Sequence, residues 1–151
     1  MLLKVYGADD QAPEVWVTYR EAGEERIELL VQLLSDEKEQ QIQSRIFGRL
    51  RQDESPSTEK VQQSAREKAA FVLRDSRGLE LELEESGAKR LAQALGEAVE
   101  PGAAIRLDGR LTPKVKDLLF RLMPDLLGFV VTQGRRLADE AAREEAKVSG
   151  N

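Results

Sequence analysis

The sequence predicts an α+β fold, mostly helical, with a small N-terminal antiparallel β-hairpin or sheet, several packed helices and a C-terminal helical hairpin. Three observations predict it. Residues 14–20, EVWVTYR, are rich in β-branched and aromatic side chains, which suit a pleated, half-buried surface. Residues 79–84, LELELE, alternate without a break, as a strand with one buried face does. Residues 107–142, LDGRLTPKVKDLLFRLMPDLLGFVVTQGRRLADEAA, hold two proline-containing helix starts in quick succession.

From the N-terminus, Leu3 and Val5 alternate with Lys4 and Tyr6 in an extended start, and residues 7–13 supply turn chemistry. The strand at 14–20 places Trp16 and Tyr19 on opposite faces. Residues 21–25 read as a hairpin loop. A further strand follows over 26–34, with Ile27, Leu29, Val31 and Leu33 on one face. Ile27, Leu30, Val31 and Leu34 also fit a helical period, so both periods are present there.

Ser35 is a capping hydroxyl, and Asp36 and Glu37 favour the positive end of a helix dipole. The helix they start carries a stripe of Ile42, Ile46, Phe47 and Leu50. Residues 53–58 have loop composition. A helix over 61–73 uses Ala65, Ala69, Val72 and Leu73, and Asp75-Ser76-Arg77-Gly78 is expected to end it. Beyond the LELELE strand, a helix presents Ala88, Leu91, Ala92 and Leu95 on one side, and Pro101-Gly102 closes it. Ile105 and Leu107 suit a short extended stretch.

Thr112 then offers an N-cap hydroxyl ahead of Pro113, whose missing N–H costs nothing in the first turn. Pro124 stops that helix and starts the last one, striped by Leu127, Val130, Val131, Gly134, Leu137, Ala138 and Ala141. The chain thus divides into a β-rich subdomain over 1–34, a helical body over 35–146 with a short strand near 79–84, and a frayed tail over 147–151. The expected core is Val15, Val17, Leu29, Val31, Ile46, Val72, Leu81, Leu91, Leu119 and Val130.

A length of 151 residues suits one domain. Aromatic residues make up only 5% of the chain, so the core is built from Leu, Val, Ile and Ala. No apolar run approaches the roughly 20 residues that span a bilayer. The apolar start is too short for a signal peptide, and the reading is cytoplasmic.

Cysteine and histidine are both absent. That excludes disulfides, thiolate and imidazole metal ligands, cysteine nucleophiles and Ser-His-Asp hydrolysis. Carboxylate, lysine, tyrosine and serine–lysine chemistry remain, but no constellation assembles them. No catalytic residue, cofactor or metal is therefore expected. The net charge of −5 is uneven: residues 1–60 balance to −5, residues 61–100 to −2 and residues 101–151 to +2. Basic residues of the last third alternate with acids, and binding phosphates needs a concentrated basic face, so nucleic acid is not an expected partner.

Few side chains stand out as sites. Glu80, Glu82 and Glu84 could gather a hard cation, but three like charges on a solvated strand face account for them. Asp108-Gly109-Arg110 lacks the glycines and the lysine–hydroxyl pair of a phosphate loop and reads as a tight turn. Trp16 serves either as a core residue or as an interface anchor. Arg135-Arg136 beside Asp139-Glu140 reads as a solvated helix face or as the rim of an interface centred on Leu127, Val131 and Leu137. These last three are the candidate partner-binding residues.

In order, VWVTYR and RIELLVQLLS, the Ser-Asp-Glu helix start, AREKAAFVLRDSRGLEL and the closing LDGRLTPKVKDLLFRLMPDLLGFVVTQGRRLA resemble the tail assembly chaperones of long-tailed bacteriophages and prophages. Ser76 stands where that family often has the tryptophan of an Asp-Trp turn. Residues 97–102 separate pieces that usually lie closer together. The resemblance implies a non-catalytic protein of the bacterial cytoplasm that coats the apolar, helical tape-measure protein, keeps it soluble and helps recruit tail-tube subunits. It also implies self-association, absence from the finished virion and, in some members, a longer frameshifted form. The alternative is a structural morphogenesis subunit, in the tail or at the head–tail joint, that stays in the virion.

Overall fold

The computed structural model describes residues 13–48 and 55–149, with side chains through residue 147. The expected extended start at Leu3 to Tyr6, and Leu50, lie outside the described residues. The architecture is α+β and mostly helical. Strands β1 (Glu14–Ala22) and β2 (Glu25–Gln32) form an antiparallel hairpin turning at Gly23, where φ is 61°. Period two prevails in β2, because it buries both Leu29 and Val31 completely. The register shifts between Thr18 and Arg20, leaving Tyr19 as the extra residue of a bulge.

Helix α1 (Asp36–Phe47) starts as expected, with the Ser35 hydroxyl accepting from the Lys38 N–H. Helix α2 (Thr58–Val72) begins three residues before the expected position because Ser57 caps it, accepting from the Lys60 N–H. Its end corrects the sequence reading. Residues 73–77 form a strand, β3 (Leu73–Arg77), antiparallel to β2 with Ser76 opposite Leu29. The composition LRDSR favours no strand, but β2 offers an unpaired edge and Leu73 becomes fully buried beside it. Gly78 does adopt a positive φ of 77°, but it ends a strand, and a Cβ there would lie 2.3 Å from the Arg26 carbonyl oxygen. The sheet, in order β1-β2-β3, therefore draws a strand from beyond residue 34.

A second, two-stranded sheet pairs β4 (Glu80–Glu82) with β5 (Ala104–Arg106), and helix α3 (Glu85–Leu95) lies between them in sequence. Helix α4 (Pro113–Leu122) is capped by the Thr112 hydroxyl, and Met123 alone joins it to α5 (Pro124–Ser149). Residues 147–149, expected as part of a frayed tail, belong to the last turn of α5.

Helix α2 touches α1, α4, α5 and the sheet. The core around it includes Leu29, Val31, Val72, Leu91, Leu119 and Val130, as expected, together with Leu34, Leu73, Leu79, Leu107, Phe120 and Leu126. Fully burying each large apolar side chain stabilises the fold by about 1.5–3 kcal/mol. Val17 and Leu81 pack only partly buried, Ile46 is half-buried, and Val15 is 38% exposed because it sits near the end of an edge strand.

Candidate functional site

Helix α5 meets the rest of the domain along two seams. Toward β2 and α2 the seam is closed. Leu34 donates its N–H to the Gly134 carbonyl at 2.9 Å, and a Cβ on Gly134 would fall 2.6 Å from Val72 Cγ2. Only glycine allows that approach. Toward α1 and α2 the seam opens into a groove of about 360 Å³. Gln43 and Phe47 of α1 line it, with Val61, Ser64, Ala65 and Lys68 of α2 and Leu127, Gly128, Val131, Thr132 and Arg135 of α5.

Two of the three sequence-predicted partner residues come together here. Leu127 is a half-buried wall residue, while Val131 is only 7% exposed and belongs to the core as well as to the groove. Leu137 is half-buried against the core and does not line the groove. Val61, at 47% exposure, is the most open large apolar wall residue. Sequence reasoning missed Ser64, Lys68 and Gly128. A glycine inside a helical pattern was the available signal for the last of these.

Charge gathers at one end. Arg135 reaches Glu39 Oε1 through Nε at 3.0 Å and Nη2 at 2.7 Å, and Lys68 Nζ lies 3.7 Å from the same oxygen. Hydrogen bonding to Glu39 raises the Arg135 pKa against the effect of burial, and the charges of Glu39 and Asp36 reinforce the rise. Ser64 sits in the lining 3% exposed, and its hydroxyl has no hydrogen-bond partner among the described residues.

Gln133 Oε1, outside the groove lining, is likewise buried without a hydrogen-bond partner among the described residues, whereas two turns elsewhere are held by a network of satisfied polar groups. Asp108 accepts from the Ser76 hydroxyl at 2.8 Å, the Gly78 N–H at 2.7 Å and the Leu79 N–H at 3.1 Å. Asp75 reciprocates by accepting from the Gly109 N–H at 2.9 Å. Burial opposes the Asp108 charge, but these hydrogen bonds and nearby Arg106 outweigh it and hold the carboxyl below its ordinary range. The clasp locks two turns together and leaves Asp108 no free reach toward a ligand. Lys116 is lowered to about 8 by burial first and by Arg74 second; its Nζ donates to the Ala70 carbonyl near the end of α2. That contact is a helix-end cap.

The carboxylate row does not assemble. Glu80 pairs with Arg106, Glu82 is exposed, and Glu84 lies beyond β4 at the start of α3. Among the described residues no group of His, Cys, Asp or Glu is placed to hold a metal ion. Trp16 lies under the Arg77 guanidinium at 3.7 Å, while Tyr19 packs on the Phe129 ring of α5 at 5.0 Å. No described helix is long and apolar enough to cross a membrane. No family model, curated protein or solved structure matches this chain.

Proposed function

We propose that this chain is a non-catalytic binding protein whose α1–α2–α5 groove receives an apolar helical segment of a client. More particularly, we propose a phage or prophage tail assembly chaperone. In this role it works in the bacterial cytoplasm, keeps the tape-measure protein soluble, recruits tail-tube subunits and self-associates along the client. The reading is carried by the groove: Phe47, Val61 and Leu127 leave an apolar trough between three helices beside the buried Val131. A helix is the natural occupant of such a trough, since it satisfies its own backbone hydrogen bonds.

Co-expression with the tape-measure protein of the same gene cluster tests this reading. The wild-type chain keeps that client in the soluble fraction, and Val61→Asp, which alters an exposed wall residue, releases it to the pellet while remaining folded. Val131 is unsuited to the test because a charge in its buried position unfolds the domain. Equal client solubility with and without the chain refutes the chaperone role. Recovery of the chain from purified virions points instead to a structural subunit.

A further inference from the structure

Two glycines lie inside α5, and only one has a reason within the domain. Gly134 is required by the close approach of Val72 and Leu34. Gly128 is exposed, and a Cβ there would meet nothing within 4 Å among the described residues. Glycine weakens a helix interior relative to alanine, and nothing among the described residues requires it at position 128. Gly128 faces the groove, which also holds the unpartnered, buried hydroxyl of Ser64. Among the described residues the lining carries two cations, Lys68 and Arg135, and no carboxylate. Both cations converge on one oxygen of Glu39.

We propose that the groove is a crossing site for an acidic amphipathic α-helix of a partner. The partner's backbone passes over Gly128, where the missing side chain lets two helix axes approach closely. Its apolar side chains enter between Phe47, Val61 and Leu127. A carboxylate about one turn away joins Lys68 and Arg135. Among the described residues these two ion-pair with Glu39 alone, the charge of Asp36 acting on Arg135 from beyond ion-pair distance. An extended peptide fits less well, because an apolar trough offers no sheet edge to pair its N–H and C=O groups. The inference rests on the groove being a client site and adds the sign of the client's charge.

Selection of a displayed library of amphipathic helical peptides against the full chain tests it. Binders carry apolar residues at i, i+3 or i+4 and i+7, with Asp or Glu within a turn of them. Replacing that acid by Lys weakens binding at least about tenfold. Gly128→Leu, which fills the trough from an exposed position, weakens binding by about the same factor without lowering the thermal midpoint. Arg135→Gln erases the preference for Glu over Lys but keeps the apolar requirement. Binders that are sensitive to Gly128→Leu yet indifferent to charge overturn the acidic partner and leave the groove reading standing. Absence of any binder sensitive to Gly128→Leu overturns both. Self-association abolished by Gly128→Leu in sedimentation assigns the trough to a second copy and overturns the inference.

Discussion

Along α5, six residues separate a seam that is closed from one that is open. At Gly134 the backbone is held by Leu34 and pressed against Val72; at Gly128 the same helix presents bare backbone to an apolar trough. The same residue type has opposite meanings in the two places. One glycine is an element of packing and its replacement strains the fold. The other weakens the helix with no packing return, which is the pattern expected where a structure serves something other than its own stability.

The largest effect expected from this contrast is at the closed seam. Gly134→Val overpacks against Val72 and Leu34 and lowers stability by about 1–3 kcal/mol or more, measured by urea unfolding. Asp108→Ala comes next, since three donors lose a charged acceptor; a loss of about 2–3 kcal/mol is expected near neutral pH. The folded-state pKa of Asp108 is depressed, so its contribution is complete above the ordinary aspartate pKa of about 4 and disappears as pH falls through the lower folded value. The stability gap between wild type and Asp108→Ala therefore narrows in acid.

Lys116 shows the same sign at alkaline pH but from a different cause, since burial disfavours its charged form. Its folded pKa of about 8 lies below the unfolded value of 10.5, so the unfolded chain binds more protons between them. Wild-type stability gains relative to Lys116→Met as pH rises through that window; a constant difference contradicts the burial described for this side chain. The smallest effect is at the open seam. Gly128→Ala gains about 0.5–1 kcal/mol from helix propensity, with no clash to offset it, and weakens client binding. Gains in both stability and binding remove the functional explanation of this glycine.

What was legible in the sequence follows from how local the determining interaction is. Ser35 and Thr112 cap helices through bonds to residues three positions on, so those starts can be read directly. The β1–β2 hairpin is equally local. Strand β3 depends on pairing LRDSR with a strand more than forty residues earlier, and nothing in those five side chains announces it. Val15 has a core-like identity, but an edge position determines its exposure. The helical stripe pointed to Leu127 and Val131, whereas Ser64, Lys68 and Gly128 gain their setting only when α1, α2 and α5 come together. The sequence also left open whether that stripe buries its own core or a partner. It contributes to both surfaces: Val131 closes the core while Leu127 faces the trough.

The absence of native cysteine permits a direct test of the groove. A photo-crosslinker attached at Val61→Cys is compared with one attached at Glu24→Cys in the hairpin turn, each in complex with co-expressed tape-measure protein. The groove assignment predicts an adduct to an apolar helical segment of the client from position 61 and none from position 24. Adducts from the hairpin alone, or from both positions equally, contradict it.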